Sequence, residues 1–243
     1  MPLTAKARST ILQRKIIKKI IMSKKTNSDA PILADEVLSK SEALIIKYKK
    51  PIIAVIALLV VIILGSTLYT KYVAEPKEKE AAEAMFAAEA LFAAQNFETA
   101  LNGDGVNLGF IQIAEDYSGT AAGNLANAYA GMALAQLARY EEAIDYLEDF
   151  DGNDQMVAPA AAGTLGNCYA HVGKAKAAAN KFVEAAEMAS NNTISPFYLL
   201  QAGIIYESEG NASKALKLYE QIKSEYSTSS IATDIDKYIN RVK

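Results

Sequence analysis

The sequence predicts an all-α protein: one transmembrane helix, then a solenoid of repeated helix pairs with a C-terminal capping helix. Three observations predict it. Residues 51–70 (PIIAVIALLVVIILGSTLYT) contain no charged side chain. The part that follows is rich in Ala and other helix formers, as in AAEAMFAAEALFAA at 81–94, and strand-like alternation is nearly absent. That same part repeats a spaced pattern of small and aromatic residues, the mark of a repeat architecture.

The uncharged run comes first. Twenty helical residues at 1.5 Å each span about 30 Å, the thickness of a bilayer's hydrocarbon core. The run holds twelve Ile, Leu and Val, favouring insertion by about 5 kcal/mol at roughly 0.4 kcal/mol each. Its flanks differ in charge: residues 1–50 carry twelve Lys and Arg against four acids, and residues 71–243 carry thirteen against twenty-four. With Lys47, Lys49 and Lys50 abutting the run, the positive-inside rule places residues 1–50 in the cytoplasm as a basic tail and the C-terminal part across the membrane. Tyr48 and Tyr72 flank the span as headgroup-level aromatics. The run is longer than the apolar core of a cleaved signal peptide and begins late, and Tyr72 spoils the nearest small-residue cleavage pattern. The expected organisation is a tail at 1–50, a signal anchor at 51–72 and one folded domain at 76–243.

The tail leaves alternatives open. Residues 1–22 place Leu12, Ile16 and Ile20 on one helical face among Arg14, Lys15, Lys18 and Lys19. Such a segment fits a basic helix on an anionic membrane surface or an import signal. Equally, translation starting at Met22 would leave residues 1–21 outside the protein. Residues 32–46 read as a second short amphipathic helix.

The repeat decides the architecture of the remainder. Leu165-Gly166-Asn167-Cys168-Tyr169 matches Ala202-Gly203-Ile204-Ile205-Tyr206. Gly173 and Gly210 follow each Tyr by four residues, Ala178 and Ala215 come next, then Phe182 and Tyr219. An upstream copy has Gly131, Leu134, Ala138, Ala143 and Leu147, and a fainter one Ala88, Leu91, Phe97 and Ala100. Gly131, Gly166 and Gly203 are expected to admit a close antiparallel neighbour, with Leu134, Tyr169 and Tyr206 filling the gap between helices. Gly173 and Gly210 are expected in the left-handed backbone that ends a first helix, and Ala143, Ala178 and Ala215 in the seam of the second. Helix pairs of this size cannot bury their apolar faces alone and must stack. Copies one and two are 43 residues apart, against 35 and 37 later, and LNGDGVNLG with Gly103, Gly105 and Gly109 marks an inserted loop. Ile113 to Thr120 matches Ile222 to Ser229, each closing a second helix, and Ile231 to Val242 is expected as the cap.

This pattern resembles the tetratricopeptide repeat (TPR) over residues 81–225, although Asn191-Asn192 and Ser227-Thr228 stand where a repeat usually closes with Pro. The layout of tail, anchor and repeat domain also resembles the YfgM-like single-pass inner-membrane proteins of bacteria, in a Bacteroidetes-type version. That resemblance implies a bacterial inner-membrane protein with its N-terminus cytoplasmic and its repeat domain in the periplasm. Some relatives are associated with the Sec translocon and periplasmic chaperones. Carrying over the TPR groove slots gives Leu125, Ala128, Met132 and Gln136; then Ala160, Gly163, Asn167 and His171; then Phe197, Leu200, Ile204 and Glu207. These are mostly small or apolar, and no Lys accompanies Asn167 to clamp a peptide carboxylate. A neighbouring or capping helix filling this face is the competing reading.

Catalysis is not expected. One His rules out a zinc site built on two. Cys168 and His171 share a helical face, but Cys168 reads as a small core residue beside Tyr169, with His171 towards the groove or water. Glu141-Glu142 and Asp149-Asp151-Asp154 lack EF-hand spacing and read as solvated acids. No catalytic, metal or cofactor site is assigned. The acidic domain disfavours nucleic acid. The expected function is a membrane-tethered adaptor binding other proteins of secretion or envelope machinery, or peptide segments, with a self-associating homo-oligomeric scaffold as the alternative.

Overall fold

A computed structural model of the protein describes residues 48–243; the tail segments at 1–22 and 32–46 lie outside them. The chain divides between Thr67 and Leu68 into two compact units.

Helix α1 (Lys49–Tyr69), which belongs to the first unit but for its last two residues, carries nearly all of the uncharged run and has no buried residue. It is long and apolar enough to cross a membrane. Its Ile, Leu and Val side chains are exposed.

The second unit is all helix among the described residues. A π-type turn at Thr70–Ala74 precedes α2 (Glu75–Ala93). The Glu75 N–H bonds the Thr70 carbonyl just before Pro76, whose nitrogen has no hydrogen to donate. Then come α3 (Phe97–Asn102), α4 (Phe110–Asp116), α5 (Ala121–Gln136), α6 (Tyr140–Asp149), α7 (Val157–His171), α8 (Ala175–Ala189), α9 (Ser195–Ser208) and α10 (Ala212–Glu225). Each helix packs on the next, and α5 also touches α2 and α7, the nearest-neighbour pattern of a solenoid.

Four copies of one turn join first helices to second helices. Gln95, Ala138, Gly173 and Gly210 all have positive φ, between 58° and 77°. The N–H of the next residue returns to the carbonyl five back: Asn96 to Leu91, Arg139 to Leu134, Lys174 to Tyr169 and Asn211 to Tyr206, at 2.8–3.0 Å. This is the Schellman closure of a helix end. Glycine was expected at two of these turns; the other two adopt the same geometry with side chains.

The small slots face the bulky ones. A β-carbon on Gly131 would strike Leu147, one on Gly203 would strike Tyr219, and one on Gly166 would lie 3.1 Å from Phe182. Ala143, Ala178 and Ala215 are fully buried beside them. Tyr169 and Tyr206 are 9 % exposed, and each hydroxyl reaches back to the preceding second helix, Tyr169 to Glu148 and Tyr206 to Asn180 at 2.8 Å.

The insert splits the second helix of the first pair into α3 and α4. Gly103 and Gly105 are left-handed, and the Asp104 carboxylate accepts the Val106 and Asn107 N–H groups at 2.9 and 2.7 Å. These bonds hold its pKa down at about 2. At the far end the expected helix from Ile231 is shorter. Ile231–Thr233 forms a 3₁₀ turn and α11 starts at Ile235, running to Val242. Ile235 and Ile239 bury against Tyr219 and Ile222.

Candidate partner-binding surface

The first helices α5, α7 and α9 carry the twelve carried-over slots. Leu125, Ala160 and Leu200 are half-buried, as is Met132; Gln136 and Asn167 are exposed. Phe197 at 46 % and Ile204 at 36 % are among the largest apolar groups left in water on the solenoid. These eight side chains form the accessible part of the face.

Four slots are committed elsewhere. Ala128 is fully buried and offers no surface. Gly163 is covered: a β-carbon there would run into the ring of Tyr198, which also packs 6.0 Å from Phe182. Here a neighbouring helix does fill the face. His171 stacks on Tyr140 with ring centroids 4.1 Å apart and planes nearly parallel. Glu207 accepts from Arg241 of α11 and from the Tyr219 hydroxyl at 3.0 Å. The Arg241 guanidinium holds the Glu207 carboxyl below its usual range, helped by the Tyr219 hydroxyl. Tyr219 is shifted upward, by burial and then by Glu207.

The groups singled out for chemistry are also placed. Cys168 is fully buried, and burial pushes its thiol up to about 11, so it stays protonated and unreactive at neutral pH. In the α6–α7 connection only Asp154 acts as a cap through its carboxylate. Asp154 accepts the Met156, Val157 and Ala158 N–H groups, and the Asp151 backbone exchanges two hydrogen bonds with the Asn124 amide at 2.9 and 2.7 Å. Glu142 pairs with Arg139. Among the described residues no group of three or more His, Cys, Asp or Glu is placed to hold a metal ion.

One structural residue gave no signal in the sequence. Glu78 of α2 accepts the N–H groups of Ala121 and Ala122 at 2.7 and 2.9 Å, while Thr120 accepts that of Gly123. Together they satisfy three of the four open donors at the α5 N-terminus, with a carboxylate where the helix dipole favours one.

No family model and no curated protein matches the chain. Solved structures do. MamA is 15 % identical over 64 % of this chain and 91 % of its own, with a TM-score of 0.46. A protein of Podosopora anserina with nearly identical TPR-like repeats of the kinesin light chain kind is 11 % identical over 68 % of this chain and 86 % of its own, with a TM-score of 0.51. At such identity a likeness speaks for the fold alone, and that fold is a TPR-like helical solenoid.

Proposed function

We propose that this chain is a membrane-tethered adaptor that binds other proteins through the first-helix face of its solenoid. The observation that carries the reading is the accessible apolar set Phe197, Leu200 and Ile204, continued by Asn167, Met132 and Leu125, along the first helices of the repeat scaffold. Bulky apolar side chains left in water at helical spacing suit a partner helix or extended peptide held by apolar contact. Tethering rests on the uncharged run of α1, a helix with no buried residue. The charge asymmetry around it supports a cytoplasmic N-terminus with the solenoid across the membrane, and the likeness of the layout to single-pass inner-membrane proteins of bacteria supports a periplasmic solenoid. The layout supports partners in secretion or envelope assembly, the Sec translocon and periplasmic chaperones among them.

Photocrosslinkers at Met132, Asn167 and Ile204 in living cells test the surface. Discrete adducts from these positions, absent from the buried Ala128, are expected; no adduct from any of the three would sink the reading. Membrane fractionation with protease protection of the solenoid tests the tether separately.

A further inference from the structure

The bases of the last two helix pairs and the cap divide into two sets. Residues 155–243 carry nine Lys and Arg against eight acids. Lys181, Lys223, Lys237, Arg241 and Lys243 each pair with an acid. Lys174, Lys176, Lys214 and Lys217 make no ion pair with any described residue, and all four are exposed along one furrow. Helices α8 and α10 form its walls, and α9, packed against both, supplies the floor. Three adjoining cavities of about 530, 320 and 240 Å³ make up its length. The first two share Ala175, Lys176 and Glu209, and the second and third share Tyr206 and Lys214. Between the lysines the lining is largely apolar, from Ala177 and Ile205 to Val183 and Leu218. Tyr206 fixes the middle: its hydroxyl donates to Asn180 at 2.8 Å, and the Lys214 ammonium lies 4.7 Å from its ring centroid. Lys174 lies over the Tyr169 ring in the same way, at 5.3 Å. Glu187 and Glu209 also line the furrow, so four positive groups stand against two negative ones.

We infer that this furrow binds an extended acidic peptide segment of a partner protein. It shares no lining residue with the first-helix face described above, so it is a second surface. Charge complementarity names the occupant. Four ammonium groups on neighbouring helices repel one another until carboxylates stand between them. From Asn211 to Gln221 the α10 wall runs about 15 Å at 1.5 Å per residue, room for about five extended residues. Lys214 and Lys217 lie one turn apart on α10 and so share a face. In an extended strand alternate side chains point the same way, so acids at every second position line up towards the lysines. Larger polyanions are refused by their size. Residues 75–154 carry sixteen acids against three bases, and a bilayer surface or a nucleic acid wide enough to reach them would be repelled there. A short acidic segment held between α8 and α10 escapes that repulsion, because salt screens charges beyond about 10 Å.

The test uses the full chain in nanodiscs of zwitterionic phosphatidylcholine. The probe is a peptide of about ten alternating Glu and Ala residues, twice the expected footprint, carrying a dye and a benzophenone. Anisotropy reads binding, and mass spectrometry maps the photoadduct, because residues 1–50 offer twelve further bases. Adducts within residues 173–221 are expected, with affinity falling as salt rises. Lys176→Gln combined with Lys214→Gln should weaken binding about tenfold, with helix content unchanged. Lys79→Gln, the same charge change on α2, should alter it by less than about twofold. A peptide with Gln in place of Glu should not bind. Equal affinity for the Gln peptide, adducts confined to residues 1–50, or unchanged affinity in the double variant overturns the inference. Release of the bound peptide by phosphatidylglycerol vesicles, or by loading several chains into one nanodisc, overturns it in favour of a lipid surface or a second copy.

Discussion

A β-carbon added at Gly203 would lie 2.3 Å from the ring of Tyr219, which is fully buried, held by Glu207 and set against Tyr238 at 5.4 Å. At Gly166 the same atom would lie 3.1 Å from Phe182, which needs to yield only a few tenths of an ångström. Replacing a mid-helix Gly by Ala gains about 1 kcal/mol of helix propensity, and overpacking costs about 1–3 kcal/mol. Gly203→Ala is therefore expected to destabilise by about 1–2 kcal/mol while Gly166→Ala stays near neutral, as urea denaturation of the two variants would read. The sign reverses at the turns. Ala138 is exposed at φ 58°, where a β-carbon costs about 1–2 kcal/mol. Ala138→Gly should raise the unfolding midpoint, corresponding to about 1 kcal/mol. The glycine slots were legible in the sequence because they recur at fixed offsets. Tyr198 over Gly163 was not, because the ring comes from the next repeat and nothing local announces it. Glu78 was hidden for a similar reason: its partners lie 43 and 44 residues away.

Helix α11 is the element on which the last pair depends. Ile235 and Ile239 close the cluster containing Tyr219 and Ile222, and Arg241 joins α11 to Glu207 of α9 while lying over the Tyr238 ring. Glu207 is depressed in the folded state. Its contribution is thus complete above the unfolded carboxyl value of about 4.3 and is lost as pH falls from there through the folded value. A urea midpoint that drops in that window, and drops less in Glu207→Gln, is the expected result; identical pH profiles would show that the pair does not hold the cap. That a cap exists was readable from the match of Ile222 to Ser229 with Ile113 to Thr120, each of which closes a second helix and leads into another. Its late start was not, because the Ser229 hydroxyl and the carbonyls of Ser229 and Ile231 draw the chain into a 3₁₀ turn first. The split of the first second-helix followed from three glycines in one short stretch, whereas the use of Asp154 as a cap depended on which backbone groups stood open beside it.

Stability in a nearest-neighbour array is local, so a defect in one interface should be felt mainly beside it. Glu78→Ala removes two acceptors from the α5 N-terminus and is expected to cost about 1–2 kcal/mol. Hydrogen exchange should quicken in α2 and α5 and stay unchanged in α9 and α10; uniform acceleration would mean that the array opens as one unit. At this scale the all-helical class and the repeat were plain in the sequence, because period and composition are summed over many residues. The accessible surface was only partly so, since four of its twelve slots are taken up by neighbours. The four identical turns carry one last lesson. Two keep the left-handed bend with Gln95 and Ala138 in place of glycine, which means the packing of the helices on either side dictates the bend and the residue merely tolerates it. A signature that scores glycine counts two repeats; the backbone counts four. Architecture of this kind can drift in letters while holding its shape, so distant members of such a fold are found by geometry when spelling no longer betrays them.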